Sequence, residues 1–154
     1  MTQVATESFE LTGNLTVADV PDVRRFVEKF HGRTSNADDV SRVAMATHEL
    51  LENAVKFSTD GSASLRIDVG GSQVTITTRN RARPTDLDEL RELAHQLAST
   101  IDPMLFYLEQ MRRSPTRVGG LGLGRVAAEG EMKLELVLDG DMVQIKAEAT
   151  LGAA

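Results

Sequence analysis

One stretch of sequence decides the fold of this chain: HELLENAVKFS, residues 48–58. It belongs to a longer pattern, starting at Ala37, in which apolar or near-apolar residues recur every three or four positions. That spacing is typical of one face of an α-helix, and it predicts a long amphipathic helix with this face in the core. The residues of the stripe are Val40, Val43, Ala44, Thr47, Leu50, Leu51, Ala54 and Phe57.

A second face of the same helix carries polar side chains. Glu49, Glu52, Asn53 and Lys56 fall at positions i, i+3, i+4 and i+7. A carboxylate, a carboxamide and an ammonium group on neighbouring turns suit a metal-bound phosphate. From helix geometry alone, a solvated face with an i,i+4 Glu–Lys pair is the simpler interpretation.

Length and composition limit the classes of function. The 154 residues predict a single domain, 1–154, and 41% hydrophobic residues suffice for a core. The chain has no Cys, which excludes disulfides and thiolate chemistry. A net charge of −6, with one Tyr and no Trp, disfavours nucleic-acid binding. The first residues show no secretory pattern and no apolar run could cross a bilayer, so we expect a cytoplasmic protein without a membrane partner.

The order of predicted elements is β-α-α-β-β-α-α-loop-α-β-β. Short turns, such as Gly70-Gly71 and Asp139-Gly140-Asp141, join neighbouring strands as hairpins. This order predicts an α+β fold, a two-layer sandwich of a mostly antiparallel sheet with helices on one face. The predicted strands are 8–12, 64–69, 74–77, 134–138 and 142–147, and the predicted helices lie within 17–31, 37–57, 86–100, 102–111 and 125–129.

A glycine-rich stretch, GGLGLGR at residues 119–125, is the second informative segment. We predict a loop over 114–124, because glycine allows unusual backbone angles and lets main-chain N–H groups approach a phosphate. The stretch lacks the Lys-Ser or Lys-Thr of a Walker A loop and the preceding strand of a dinucleotide fingerprint. Taken alone, it fits a phosphate cradle and a flexible structural turn equally well.

Together the two stretches resemble the Bergerat-fold (GHKL) ATPases, and within them the anti-sigma-factor serine kinases and their partner-switching relatives. Residues 49–56 resemble the N box of that superfamily, and residues 120–123 resemble its glycine box. The surrounding elements agree in order, so the resemblance covers nearly the whole chain. It implies a Bergerat fold with ATP and Mg²⁺ as cofactors.

The resemblance also implies roles for individual residues. Glu49 would take the proton from an attacking hydroxyl, Asn53 would be the Mg²⁺ ligand, and Lys56 would lie near phosphate oxygens. The residues that would bind the phosphates are Gly120, Leu121, Gly122, Leu123 and Gly124.

One box departs from the family pattern. The family has Asp-x-Gly-x-Gly where this chain has Asn80, Ala82 and Pro84. The family Asp accepts a hydrogen bond from the adenine amino group; Asn80 keeps an acceptor oxygen without the charge, which is the weaker acceptor. Weak ATP binding, an altered base preference and no nucleotide binding all stay open.

Two neighbouring segments have more than one interpretation. Arg79, Arg81 and Arg83 alternate, so in an extended segment they would share one side. They could bind phosphate or an acidic partner. The simpler interpretation is a solvated edge strand, on which charged side chains prevent pairing with another chain. Residues 86–117 hold two predicted helices where the related kinases would have a shorter lid. Their apolar residues are expected to pack in the core, with a pocket cover or a partner surface as alternatives.

The favoured hypothesis is an ATP-Mg-dependent serine/threonine kinase of the anti-sigma type in a partner-switching pathway. Its substrate would be a STAS-type anti-anti-sigma-like protein, with a sigma factor as a further partner and homodimerisation open. The alternative is a catalytically silent regulatory module on the same fold that docks a protein partner. A third, weaker hypothesis is an ATPase that uses water.

Overall fold

The fold is the expected α+β two-layer sandwich. The computed structural model describes residues 6–31, 36–112 and 120–152. Five antiparallel strands form one sheet in the order β1-β2-β3-β5-β4, and the predicted order of helices and strands is confirmed. The strands are β1 Thr6–Asn14, β2 Ser62–Gly70, β3 Gln73–Arg81, β4 Lys133–Asp139 and β5 Met142–Thr150. The helices are α1 Val20–His31, α2 Ala37–Lys56, α3 Pro84–Ser99, α4 Pro103–Arg112 and α5 Gly120–Ala128, with a 3-10 turn at Val17–Asp19 before α1.

The two faces of the sheet differ in polarity because side chains alternate along each strand. Leu65, Ile67 and Ile76 are fully buried on the face that the helices cover, and Ile67 lies opposite Ile76 in the register of β2 with β3. The other face carries polar residues such as Arg66 and Thr75. The helices therefore form one layer and the sheet the other.

Helix α2 packs over the middle of the sheet, against β2 and β3. Most of its apolar stripe is buried as predicted, with Leu50 and Leu51 0% exposed and Val40 and Phe57 half-buried. Burying each leucine contributes roughly 1.5–3 kcal/mol, so this stripe is a main source of stability. The Asn36 side chain accepts a hydrogen bond from the Asp39 N–H at 2.8 Å and caps the start of the helix.

The predicted glycine loop is wrong over its described part. Residues 114–119 lie outside the described residues, and the chain from Gly120 is helical, so α5 begins five residues before the predicted start at Arg125. Leu123 and Val126 lie on one face of this helix and are both 0% exposed. Their packing overrides the cost of glycine in a helix, which is about 1 kcal/mol per residue.

The edge-strand interpretation of the arginine series is also wrong, because β3 is the central strand. Arg79 donates from Nε to Gln144 Oε1 at 2.7 Å, and Arg81 pairs with Asp141 at 2.8 Å. Both contacts cross from β3 towards the β4–β5 hairpin. Sheet order depends on pairing between distant segments, which a local pattern does not encode.

Helix α4 exposes the apolar residues that were expected in the core. Leu105, Leu108 and Met111 are 59%, 45% and 51% exposed, whereas Phe106 and Gln110 are buried. The helix packs on α5 through the opposite side from the one that the spacing suggested. Among the described residues, no helix combines the length and apolarity that crossing a membrane requires.

Candidate functional site

The two segments singled out by the sequence meet where α2 contacts α5. Glu49 projects from α2 towards α5, and its side chain is 19% exposed. The contact is so close that a Cβ built on Gly122 would lie 2.5 Å from Glu49 Oε2. Glycine at position 122 therefore allows the carboxylate to lie against the first turn of α5.

Arg125 holds the same carboxylate from one turn further along α5. Its Nη1 donates to Glu49 Oε1 at 3.3 Å, and its Nε donates to Glu129 Oε2 at 2.8 Å. The hydrogen bond to Glu129 raises the pKa of Arg125, and Glu49 adds a smaller electrostatic contribution in the same direction. The Arg125 guanidinium, which always carries a positive charge, thus orients the Glu49 carboxylate.

The polar face of α2 is divided between solvent and the interior. Lys56 and Glu52 form the expected i,i+4 pair, with 3.0 Å between Nζ and Oε1, and Lys56 is 49% exposed. Glu52 also lies 3.2 Å from His48 Nε2. Asn53, one turn after Glu49, is only 8% exposed. The solvated-face interpretation therefore holds for Glu52 and Lys56, while Glu49 and Asn53 are largely buried.

The described part of α5 begins at Gly120 and passes beside Glu49 at Gly122. The Leu123 side chain is fully buried, so only its main chain can contribute. Gly120 and Gly122 belong to the same turn; the Leu121 side chain lies outside the described part of the chain.

Gly124 serves a different contact. A Cβ at this position would lie 2.9 Å from Tyr107 Cδ1 and 3.0 Å from Tyr107 Cα. Its role in the structure is therefore to let α4 approach α5. Whether it also contacts a phosphate stays a prediction.

Asn80 lies near the C-terminal end of α2. It is 7% exposed, on the helix-facing side of β3, and its Nδ2 donates to the Arg81 carbonyl oxygen at 3.4 Å. A bridge between Ser58 and Ala82 ties the end of β3 to the end of α2. Pro84 begins α3, where proline suits the first turn. The segment that departs from the adenine box thus forms an ordinary strand-to-helix junction.

The depression that Asn80 lines has a volume of about 190 Å³. It shares Ser64 and Arg79 with a larger depression on the open face of the sheet, so it lies on the side that faces away from α2 and α5. Two larger depressions lie among the described residues. One, of about 430 Å³, is on the open face of the sheet, and the other, of about 760 Å³, lies between α3, α4 and β4.

The oxygen ligands available near Asn53 suit a magnesium ion that is bound mainly by phosphate. Within residues 6–31, 36–112 and 120–152, no three His, Asp or Glu side chains converge as a metal-binding group. Mg²⁺ is commonly bound by one or two protein oxygens, with waters and substrate phosphates completing its shell. The Asn53 carboxamide oxygen would supply one hard protein ligand to such an ion.

Sequence reasoning missed Arg125 and Tyr107 as parts of this site. Arg125 follows the glycine stretch at i+3 from Gly122, so it lies on the same helix face. That relation became visible only once residues 120–124 were known to be helical. Tyr107 is the single tyrosine of the chain, and its contact with Gly124 depends on the packing of α4 on α5.

Comparison with known proteins identifies the fold. No protein-family model matches the chain, and no curated protein matches it. Among solved structures, a chain in the crystal structure of the SiaB-SiaC complex from Pseudomonas aeruginosa is similar. The TM-score is 0.67 at 14% sequence identity, covering 97% of this chain and 91% of that chain. A likeness at this identity shows that the fold is shared over nearly the full length.

Proposed function

We propose that this chain is a cytoplasmic switch protein of the anti-sigma serine-kinase type. It binds ATP with Mg²⁺ and phosphorylates a serine or threonine of a small protein partner. The observation that supports this most is the contact of the Glu49 carboxylate with Gly122 in the first turn of α5. A carboxylate beside main-chain donors suits phosphoryl transfer to a hydroxyl, which needs a base and a positive environment for the phosphates.

The proposal gives each side chain a task that its position allows. Glu49 accepts the proton of the attacking hydroxyl, and Arg125 keeps the carboxylate oriented through the 3.3 Å contact. Asn53 holds Mg²⁺ through its carboxamide oxygen. Lys56 reaches a phosphate only by leaving Glu52, and breaking such a surface pair costs at most about 1 kcal/mol.

The start of α5 binds the phosphates through the main chain. The phosphates would accept hydrogen bonds from the main-chain N–H groups of residues 120–123, where glycine at 120 and 122 leaves the main chain uncovered by side chains. Bound ATP-Mg²⁺ supplies the γ-phosphoryl group for the reaction. The chain contributes position, charge and the base.

The proposed partner is a STAS-type protein of the anti-anti-sigma class, with a sigma factor as a second partner. A chain of similar fold occurs in the SiaB-SiaC complex, and this supports a protein partner here. The exposed apolar residues of α4 support it too, since exposed apolar patches often mark interaction surfaces. Partner switching would then mean that nucleotide and phosphorylation state select between two partners.

A second candidate function is a regulatory module that docks a partner without catalysis. The strand-to-helix junction at residues 80–84 favours it, because that junction lacks the charged acceptor and the glycines of the family's adenine box.

Phosphate transfer tests the kinase proposal. The protein is incubated with γ-labelled ATP, Mg²⁺ and the STAS-domain proteins of its own organism. We expect label on a serine or threonine of one of them. If the protein binds both nucleotide and a partner but no label is transferred to that partner, the result would instead favour the docking module.

A further inference from the structure

Arg79 lies in the middle of the open face of the sheet. Because β3 is the central strand, this residue has a neighbour on each side, with Ser64 of β2 and Gln144 of β5 opposite it. Its Nε donates to Gln144 Oε1 at 2.7 Å. The side chain is exposed, so its two Nη groups are accessible to a ligand.

The partners of Arg79 set it apart from the other arginines. Among residues 6–31, 36–112 and 120–152, every arginine except Arg79 lies within 4 Å of a carboxylate oxygen. Within the same ranges, the hydrogen-bond partner of its guanidinium is the neutral amide of Gln144. A guanidinium has five N–H donors, so most of these donors and the whole charge are available to an anion.

The strand register brings two more cations to the same place. Thr77 lies opposite Arg66 on β2 and opposite Lys146 on β5, and Arg79 follows it by two residues on the same face. Side chains at such positions in a sheet lie about 5–8 Å apart. Like charges at this distance repel one another, so strand pairing alone does not favour a cation at position 79.

A depression of about 430 Å³ lies among these side chains. Ser64, Thr75 and Thr77 line it with short hydroxyl side chains, whereas Arg79 and Lys146 line it with long cationic ones. Sites for small molecules occupy roughly 300–1,000 Å³ and are mostly apolar. A depression of this size with a hydroxyl and cationic lining suits a small and strongly polar anion.

Two carboxylates also line the depression, and both lie beside Arg66. Asp68 accepts hydrogen bonds from Arg66 Nε at 3.0 Å, and Glu10 Oε2 lies 3.8 Å from Arg66 Nη1. The lining therefore carries three cations against two carboxylates. On a chain of net charge −6, this is a local excess of positive charge, and it lies at the end of the depression away from the carboxylates.

We propose that this depression binds a small phosphate ester, with the phosphate group between Arg79 and Lys146. A guanidinium donates two parallel hydrogen bonds to phosphate oxygens, and an ammonium group adds a point charge. Ser64 and Thr77 offer hydroxyl donors to the remaining oxygens. The organic part of the ester extends towards the carboxylate end of the depression, which favours a hydroxyl-bearing group.

This site is separate from the proposed nucleotide site. The residues that line it alternate along β2, β3 and β5 with the buried residues that the helices cover. It therefore lies on the face of the sheet away from α2 and α5, and the two sites are tested independently.

Titration with glycerol phosphate tests the proposal, with binding followed by the amide NMR signals of the isotopically labelled protein. Ionic strength is held constant, because salt screens exposed charges. We expect saturable shifts in residues 64–68, 75–79 and 144–146. Arg79→Gln should weaken binding about tenfold or more, since its charge-assisted hydrogen bonds are lost.

Arg81→Gln is the matched control. Arg81 lies on the same strand and face, but it pairs with Asp141 at 2.8 Å and does not line this depression. Its loss should change the affinity by less than about twofold. Glycerol should not bind, and acetate should bind at least about tenfold more weakly than glycerol phosphate, because a carboxylate carries less charge.

Urea denaturation separates a binding role of Arg79 from a structural one. Without ligand, Arg79→Gln should unfold at the same urea concentration as the wild type or at a higher one, because repulsion with the neighbouring cations is relieved. Glycerol phosphate should raise the midpoint of the wild-type protein and leave that of Arg79→Gln nearly unchanged.

Four results would overturn the proposal. The first is no saturable binding at tens of millimolar glycerol phosphate, and the second is an affinity that Arg79→Gln does not change. The third is an equal loss in Arg81→Gln, which would indicate a general effect of net charge. The fourth is acetate that binds as tightly as the ester. Shifts confined to residues 120–129 would likewise contradict it, because they would place the phosphate at α5.

Discussion

Arg125 on α5 donates a hydrogen bond to Glu49 on α2, with 3.3 Å between Nη1 and Oε1. The two residues are 76 positions apart in the sequence, and their contact joins the acidic helix to the glycine-rich segment. Gly122, one turn before Arg125 on α5, leaves room for the carboxylate. The proposed chemistry depends on this junction.

Glu49→Gln is expected to slow phosphoryl transfer strongly while keeping nucleotide binding. The amide cannot accept the proton of the attacking hydroxyl, and loss of a general base lowers a rate by about 10²–10⁴-fold. Initial rates of label transfer to the partner measure the effect, and calorimetric titration with ATP-Mg²⁺ measures binding.

The control for this variant is Glu52→Gln, one turn away on the same helix. Glu52 pairs with Lys56 and His48 on the solvated side, so its loss should leave the transfer rate within a few-fold of wild type. Equal loss of activity in both variants, or full activity in Glu49→Gln, would remove Glu49 from the role of base.

Gly122→Ala is expected to displace the Glu49 carboxylate with a net stability change within about 1 kcal/mol, because alanine gains about 1 kcal/mol of helix propensity over glycine. Its Cβ would lie 2.5 Å from Glu49 Oε2, so the carboxylate must move. Urea denaturation of Gly122→Ala, Glu49→Ala and the double variant forms a thermodynamic cycle. We expect coupling, with alanine at position 122 costing less when Glu49 is already alanine. Purely additive effects would show that the two residues do not compete for space.

Much of the fold follows from local patterns. The stripe that includes Val43, Leu50 and Leu51 predicts α2 because a buried helix face must repeat with the period of the helix. The turns at residues 70–71 and 139–141 likewise predict the two hairpins that the structure contains. Glu49 and Asn53 were found as a candidate pair because they lie one turn apart on that helix.

The remaining features depend on contacts between distant segments. Residues 120–124 are helical because the packing of α5 against α2 and α4 outweighs the low helix propensity of glycine. The position of β3 in the middle of the sheet depends on its pairing with β5, so the arginine series could not reveal it. The exposure of Leu105 and Leu108 on α4 depends on which side of that helix α5 covers.

Asn80→Asp is expected to raise the affinity for ATP by several-fold, because a charged acceptor bonds the adenine amino group about twice as strongly as a neutral one. The residue is 7% exposed, so burying the new charge should also lower the stability of the nucleotide-free protein. Titration calorimetry with ATP measures the first effect and urea denaturation the second. Asn80→Ala is the control and should weaken ATP binding. Unchanged affinity in both variants would show that position 80 does not contact the base.

Acid should weaken the contact between β1 and β2. Asp68 accepts hydrogen bonds from Arg66 Nε at 3.0 Å and Ser8 Oγ at 2.6 Å, and the bond from Arg66 contributes most to holding the pKa of Asp68 below its ordinary value of 3.8. A lowered folded-state pKa means that this stabilisation is complete above the unfolded-state pKa. It is then lost as pH falls through the folded-state pKa.

Asp68→Asn is therefore expected to lose less stability than wild type between pH 6 and pH 2.5, with a difference of up to about 1 kcal/mol, since the pair is partly exposed. Urea denaturation across this range measures it. Glu10→Gln, on the same face of the sheet, is the control. An Asp68→Asn variant whose stability falls with acid as steeply as that of the wild type would contradict the assigned contact.

The most direct test of the nucleotide site is the free energy of unfolding with and without ATP-Mg²⁺. At a hundredfold excess over the dissociation constant, binding should add about 2.7 kcal/mol to the wild-type protein. Asn53→Ala should lose most of the added stability in the presence of Mg²⁺, since the proposed metal ligand is gone. No change in the wild-type unfolding free energy at millimolar ATP-Mg²⁺ would contradict a nucleotide site between α2 and α5.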